Sequence, residues 1–384
     1  MTTSPDDLTL PPEVALSELI TGRAAPGLPP RVGEFAGLVP SALSPPPMPI
    51  YLGNEGENGP WFSHVNNQRD VVAELGVSHL ERVIVSGSLY LFHDDRMISD
   101  GSEPGRVARR FAEAERLTPE RLMLRSERVV LDPPALIVAG PGYPIWGHWL
   151  LDFLPRLAIA LETLKREADR CVIPLPDDTP GFVYGMIRHF CGIGRERVFP
   201  YSVARQSVLC REAYVPSFAH NNYFLHPWLR GFYQRFIPAP MPELPRRFCV
   251  SRRGLSGGTR SVARQFLQED AFEAAAERAG IVCVSPETMP LATQIALFAQ
   301  AELVLGVAGS GMHNTIFARP GTWVGQVGMP NSIQPRIAAL GQHNQAYLLP
   351  DSDADNEAGV RVMSVREDAV EAFVADFAAQ AAPG

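Results

Sequence analysis

The chain has 384 residues, enough for two ordinary domains or one large one. Hydrophobic residues make up 46% of it, and 34 basic against 42 acidic residues leave a net charge of −8, which argues against broad nucleic-acid binding. The five cysteines (Cys171, Cys191, Cys210, Cys249, Cys283) show no CxxC spacing, so they support neither a zinc motif nor a disulfide framework and fit a reducing compartment.

The N-terminal MTTSPDDLTLPPEV is acidic and broken by prolines, without the basic and apolar regions of a secretory signal. Residues 1–48 are rich in Pro, Ala and Gly and read as an extended, partly disordered arm. An α/β domain is expected over 49–237. Within it ERVIVSGSLYLFHDD reads as a β-hairpin, ALIVAG (135–140) and RCVIPLP (170–176) as buried strands, and REAYVPS as a further strand. HWLLDFLPRLAIALETLKRE and GFVYGMIRHFCGIG read as helices. Prolines mark 238–245 as a linker.

A second α/β domain is expected over 246–350. RFCVSRR reads as a strand running into basic residues, FLQEDAFEAAAERAG as a helix stopped by Gly280, and IVCVSP as a strand. MPLATQIALFAQ then places Leu291, Ile295 and Phe298 at helical spacing. ELVLGVAG is a buried strand, Gly309-Ser310-Gly311 a sharp turn, MHNTIFAR a helix and TWVGQV the returning strand. A glycine turn of this kind leaves N–H groups at a helix N-terminus, where phosphate binds. The stretch carries neither GxxxxGK[ST] nor GxGxxG. The tail, 351–384, holds an amphipathic helix in EDAVEAFVADFAAQ. No apolar run reaches the ~18 residues that span a bilayer, so the protein is expected to be soluble.

Four groups of residues could carry chemistry. His148 and Asp152 fall at i and i+4 in GHWLLDFLPRL, where a carboxylate can orient an imidazole as general base. The alternative is a packed His148 with Asp152 capping a helix that starts near Pro155. Ser251-Arg252-Arg253 with Arg260 forms an anion clamp or a solvated basic loop. The glycine turn brings Ser310, His313 and Asn314, the last as a ligand contact or a cap. Glu287 stands at the carboxyl edge of the sheet, free to line a ligand or to meet the next helix N-terminus. The histidines at 64, 79, 93, 189, 220, 226 and 343 lie in no ligand spacing, and no metal is implied.

Three blocks, in this order, resemble glycosyltransferase family 61, which includes bacterial capsular-polysaccharide enzymes, plant xylosyl- and arabinosyltransferases and eukaryotic O-linked GlcNAc transferases. They are YPIWGHWLLDFLPRL, VSRRGLSGGTR and PETMPLATQIALFAQAELVLGVAGSGMHNTIFARPG, and the likeness covers about 140–330. The resemblance implies a GT-B architecture, two Rossmann-like domains facing across a cleft, with the acceptor on the first and the donor on the second. It implies an inverting transfer from a nucleotide sugar, UDP-linked, to a glycan or lipid-linked glycan in surface-polysaccharide synthesis, with no metal or further cofactor. His148 or Asp152 is the implied base; Arg252, Arg260 and the amides of Gly309 to Gly311 the implied diphosphate site; Asn314 and Glu287 the implied lining of the donor pocket. The implied setting is cytoplasmic, with peripheral contact to the inner membrane or an assembly complex. Two positions depart from the family: Ala308 stands where it carries His, with His313 one turn on, and Ser261-Val262 where Asn-Glu commonly follows the arginine block. A catalytically silent member that binds glycan or scaffolds assembly is the alternative.

Overall fold

The computed structural model describes residues 13–53, 64, 66–99, 127–253, 264–328, 333–356 and 360–380. It is a mixed α/β chain of two compact units, one made of residues 1–42 and 71–222, the other of 43–70 and 223–384.

The second unit is built on a six-stranded sheet. Its order is Val282–Val284, Arg247–Val250, Leu303–Val307, Trp323–Val327, Asn344–Leu348, Ile50–Leu52, and every pairing is parallel. Counted from Arg247, the first five strands run 2-1-3-4-5, one of the two common doubly wound orders. Such a sheet needs cover on both faces, and alternation along one strand supplies it. Phe248 meets Phe298 of the helix Leu291–Ala299 edge-to-face at 5.2 Å. Cys249, its neighbour, joins Phe272 of the helix Glu269–Arg278 and Phe373 and Phe377 of the helix Glu367–Gln380 in one core. The expected C-terminal amphipathic helix is therefore a core element, buried through Val370, Phe373, Val374 and Phe377.

The run after the glycine turn, expected as an α-helix, is a 3-10 helix over Ser310–Phe317. Locally the hydroxyl of Thr315 donates to the Met312 carbonyl, three residues back, and Met312 N–H donates to the Gly309 carbonyl. Gly311, Asn314 and β-branched Thr315 and Ile316 give little α-propensity to resist this tighter winding. A buried helix, Ile333–Gly341, was not expected; nine residues around one proline show no amphipathic stripe, because all of its faces are covered.

The first unit joins two kinds of sheet. Leu75–Ser86 pairs antiparallel with Tyr90–His93, with Glu34–Val39 and, along most of its length, with Gln206–Pro216. The expected hairpin is thus present. Against Gln206–Pro216 lies a parallel βαβαβ run: Ala135–Leu136, the helical segment from Trp146 to Leu164, Ile173–Pro176, the helix Gly181–Cys191, and Val198–Tyr201. The lead-in expected as an arm supplies Glu34–Val39 to this unit, and Ile50–Leu52, expected in the 49–237 domain, joins the sheet of the other, where Ile50 and Leu52 pack on Tyr347 and Leu349. The chain passes from one unit to the other at Asn222–Tyr223, ahead of the proline-rich 238–245, because Tyr233 already packs on Phe317. Asn222 and Tyr223 both hold positive φ, 46° and 65°.

Candidate active site

The first unit gathers chemistry where its parallel strands end. The chain runs from Ala135–Leu136 through the two strands on one side, then returns to Gln206–Pro216 on the other. Reversals of this kind open a crevice at the carboxyl ends of the strands. His148 follows the first of the two central strands and His220 follows the second. Arg156 ties the strand ends together from below. It is buried, donating from Nε to the Pro216 carbonyl at 2.9 Å and from Nη1 to the Val138 carbonyl at 3.3 Å, with its guanidinium 4.2 Å from the Phe218 ring centre.

His148 and Asp152 share a helical face, as their spacing predicts. Pro155 neither starts nor breaks the helix. Trp149–Phe153 is a π turn, with Leu154 N–H bonding the Trp149 carbonyl, so the run continues into Leu154–Leu164 with Pro155 in its first turn. Asp152 Oδ2 meets His148 Nδ1 at 2.5 Å, and Asp152 Oδ1 accepts from His220 Nε2 at 2.8 Å. Both carboxylate oxygens thus face imidazoles. The His148 side chain is 23% exposed, against 8% for Asp152 and 1% for His220, so His148 is the member of the cluster that solvent reaches.

Burial alone would push the Asp152 carboxyl up. The His148 charge and hydrogen bond, then those of His220, outweigh it and hold Asp152 well below the usual carboxylate range. Burial works to lower the His148 imidazole, but the Asp152 charge and hydrogen bond raise it above its ordinary value. With Nδ1 engaged by the carboxylate, Nε2 is the nitrogen left for proton exchange. Gly142, at φ +92°, lies against that edge: a Cβ there would be 2.8 Å from His148 Cδ2 and 3.0 Å from Nε2.

The second unit has its own reversal between Arg247–Val250 and Leu303–Val307, the first and third strands of its order. Arg252 leaves the first and the glycine turn leaves the other. Arg252 Nη1 donates to the Ala308 carbonyl at 3.0 Å, and its backbone N–H donates to Glu269 Oε1 at 3.2 Å. A Cβ on Gly309 would stand 3.3 Å from Arg252 Nη1, so glycine here lets the guanidinium lie against the turn. Gly306 is needed in the strand before it, since a Cβ there would meet Met312 Sδ at 2.4 Å. Ser310 and Gly311 N–H groups open the 3-10 helix, ahead of any carbonyl within it.

The paired arginines divide. Arg253 turns away to Asp270 at 2.6 Å and to buried Glu273 at 2.9 Å on the helix Glu269–Arg278, leaving Arg252 as the one at the turn. Arg260 lies outside the described residues. Ser310 is half-buried and Gly311 exposed, whereas His313 and Asn314 are buried. Glu287 is exposed on the turn Pro286–Thr288, at the carboxyl edge as expected, and Gln294 donates to the Met289 carbonyl. Ala308 is buried, with its Cβ 3.2 Å from where a Cβ on Gly328 would sit. His220 is the member that sequence spacing missed, because 68 residues separate it from Asp152. Its only signal was the polar, aromatic HNNYFLHPW around it. Among the described residues no group of three or more His, Cys, Asp or Glu could hold a metal, and no helix is long and apolar enough to cross a membrane.

No curated protein matches the chain. The family model described as Glycosyltransferase 61 matches residues 146–325, a span that starts just before His148 and takes in Asp152, His220, Arg252 and the glycine turn. On that match residues 146–325 are assigned to glycosyltransferase family 61.

Proposed function

We propose that the protein is an inverting glycosyltransferase of GT-B type, moving a sugar from a nucleotide-sugar donor, UDP-linked, to a glycan or lipid-linked glycan of a surface polysaccharide. The observation that carries the reading is Arg252 beside the glycine turn at the strand reversal of a doubly wound sheet, with the Ala308 carbonyl orienting its guanidinium. In this reading Arg252, Arg260 and the amides of Ser310 and Gly311 hold the diphosphate, while Asn314, His313 and Glu287 line the donor pocket. His148 Nε2 takes the proton of the acceptor hydroxyl as its oxygen attacks the anomeric carbon. The bond from that carbon to the diphosphate oxygen breaks on the opposite face, and the nucleoside diphosphate leaves with the electron pair. Asp152 is the orienting group rather than the base, since both its oxygens already face imidazoles.

The reaction needs no metal in this scheme, because positive charge at the leaving group comes from arginine. The working place is the cytoplasm, with peripheral contact to the inner membrane or an assembly complex where a lipid-linked acceptor is presented. Calorimetry and transfer assays across a panel of nucleotide sugars test the proposal, with His148→Ala and Arg252→Ala as controls and chelator added in parallel. Wild type should bind one donor and transfer its sugar; failure to bind any nucleotide sugar rejects the enzyme reading. Ala308, where the family carries histidine, favours a second reading as a silent glycan-binding member. Glycan binding without nucleotide-sugar binding is its signature.

A further inference from the structure

Cys249 and Cys283 stand directly opposite each other on the adjacent parallel strands Arg247–Val250 and Val282–Val284. Paired residues of neighbouring strands point to the same face, and the strands lie about 4.8 Å apart, inside the roughly 4.4–6.8 Å between Cα atoms that a disulfide spans. Cys210, by contrast, stands opposite Leu131 and Val83 on its neighbouring strands, and Cys191 lies in the helix Gly181–Cys191. Val282–Val284 is the edge of its sheet, with Val282 exposed and Cys283 half-buried, whereas Cys249 is fully buried in the core.

We propose that Cys249 and Cys283 form a peroxide-sensitive thiol pair, a reversible modification site beside the Arg252 turn. Cys283 is the attacking sulfur. The Cys249 thiol beside it lowers the Cys283 pKa, against burial and the charges of Glu273 and Glu277, while the Cys283 sulfur, with burial, raises that of Cys249. The Cys283 thiolate displaces hydroxide from hydrogen peroxide and becomes a sulfenic acid. The Cys249 sulfur then attacks Cys283 Sγ, its proton leaving with the departing hydroxide as water. Two thiols and one peroxide thus give one disulfide and two waters, and a dithiol reductant reverses the step.

The pair is joined to the candidate donor site at two points. Cys249 lies three residues before Arg252 on the same strand and turn. The Cys283 thiol contacts the Glu273 carbonyl, and the Glu273 carboxylate holds Arg253. The disulfide would join the two strands from whose ends Arg252 and Glu287 extend. The pairing chemistry itself does not depend on the proposed transferase activity.

The test is peptide mapping of the full chain after graded hydrogen peroxide, with free thiols blocked. The expected product is one Cys249–Cys283 crosslink, a mass loss of about 2 Da for two hydrogens, undone by dithiothreitol. Cys283→Ser should leave Cys249 as a free thiol at the same dose, and Cys249→Ser should stop Cys283 at sulfenic acid, trapped by dimedone. Oxidation of Cys191 or Cys171 ahead of the pair, or sulfinic acid at Cys283 in wild type with no crosslink, overturns the proposal. Far-UV circular dichroism of both variants confirms that each is folded.

Discussion

His220 Nε2 lies 2.8 Å from Asp152 Oδ1, although 68 residues separate them in the chain. The bond turns a two-residue helical pair into a bridged cluster, in which one carboxylate holds two imidazoles. His220 is therefore expected to be a positioning residue. If His148 is the base, His148→Ala should lose roughly 10²–10⁴ in kcat. His220→Ala should lose less, about tenfold or more, with KM for the donor little changed. His220→Gln, which can still donate to Asp152, should recover part of that loss. Steady-state kinetics on folded variants decides it; an unchanged kcat in His220→Ala removes the cluster from the chemistry.

The shifts at the cluster set the sign of its pH dependence. A base works deprotonated, so the rate should climb with pH through a value above the ordinary 6.5 of histidine, since Asp152 raises His148. In Asp152→Asn that acid limb should move down, because burial, which lowers an imidazole, then acts alone. Stability follows the same logic. The raised His148 contributes stability that is present below 6.5 and fades as pH rises through its folded value. The depressed Asp152 contributes stability that is present above 3.8 and fades as pH falls toward its folded value. A pH–rate profile and urea unfolding across pH test both; an acid limb at or below 6.5 in wild type refutes the assignment of His148 as base.

Arg252→Ala should weaken nucleotide-sugar binding about ten- to a hundredfold, the range for removing charge-assisted hydrogen bonds worth roughly 1.5–3 kcal/mol. Arg252→Lys should restore only part, because an ammonium cannot keep the Ala308 carbonyl and reach a phosphate in the same planar fork. Arg253→Ala, by contrast, breaks bonds to Asp270 and Glu273 and should cost stability more than affinity. Calorimetric titration with thermal denaturation separates the two arginines. Equal affinity losses in Arg252→Ala and Arg253→Ala would reject the division of roles seen in their contacts.

Much of this was legible in the sequence. The strand Leu303–Val307, the glycine turn and the returning Trp323–Val327 follow from short apolar runs and punctuation by glycine. The pairing of His148 with Asp152 follows from helical spacing alone. What the sequence hid was set by tertiary placement. His220 reaches Asp152 only because two parallel strands end side by side. Ile50–Leu52 joins a sheet whose nearest strand is Asn344–Leu348, far along the chain. The helix Ile333–Gly341 is buried on every face and so shows no stripe to read. The parting of Arg252 from Arg253 depends on which of them finds Glu273, and adjacent arginines do not announce that.

Gly142 offers the sharpest separation of stability from chemistry. It sits at φ +92°, where an L side chain costs about 1–2 kcal/mol. Its missing Cβ would also stand 3.0 Å from His148 Nε2, the atom proposed to take the proton. Gly142→Ala should therefore lower the unfolding midpoint and also cut kcat, by displacing or covering the imidazole edge. Gly280 supplies the control: at φ +73° it carries the same kind of backbone strain, but a Cβ there meets nothing within 4 Å. Gly280→Ala should lose similar stability and keep its kcat. Urea unfolding and steady-state kinetics on the two variants side by side are enough. If both lose stability and neither loses activity, His148 Nε2 is not where the proton goes.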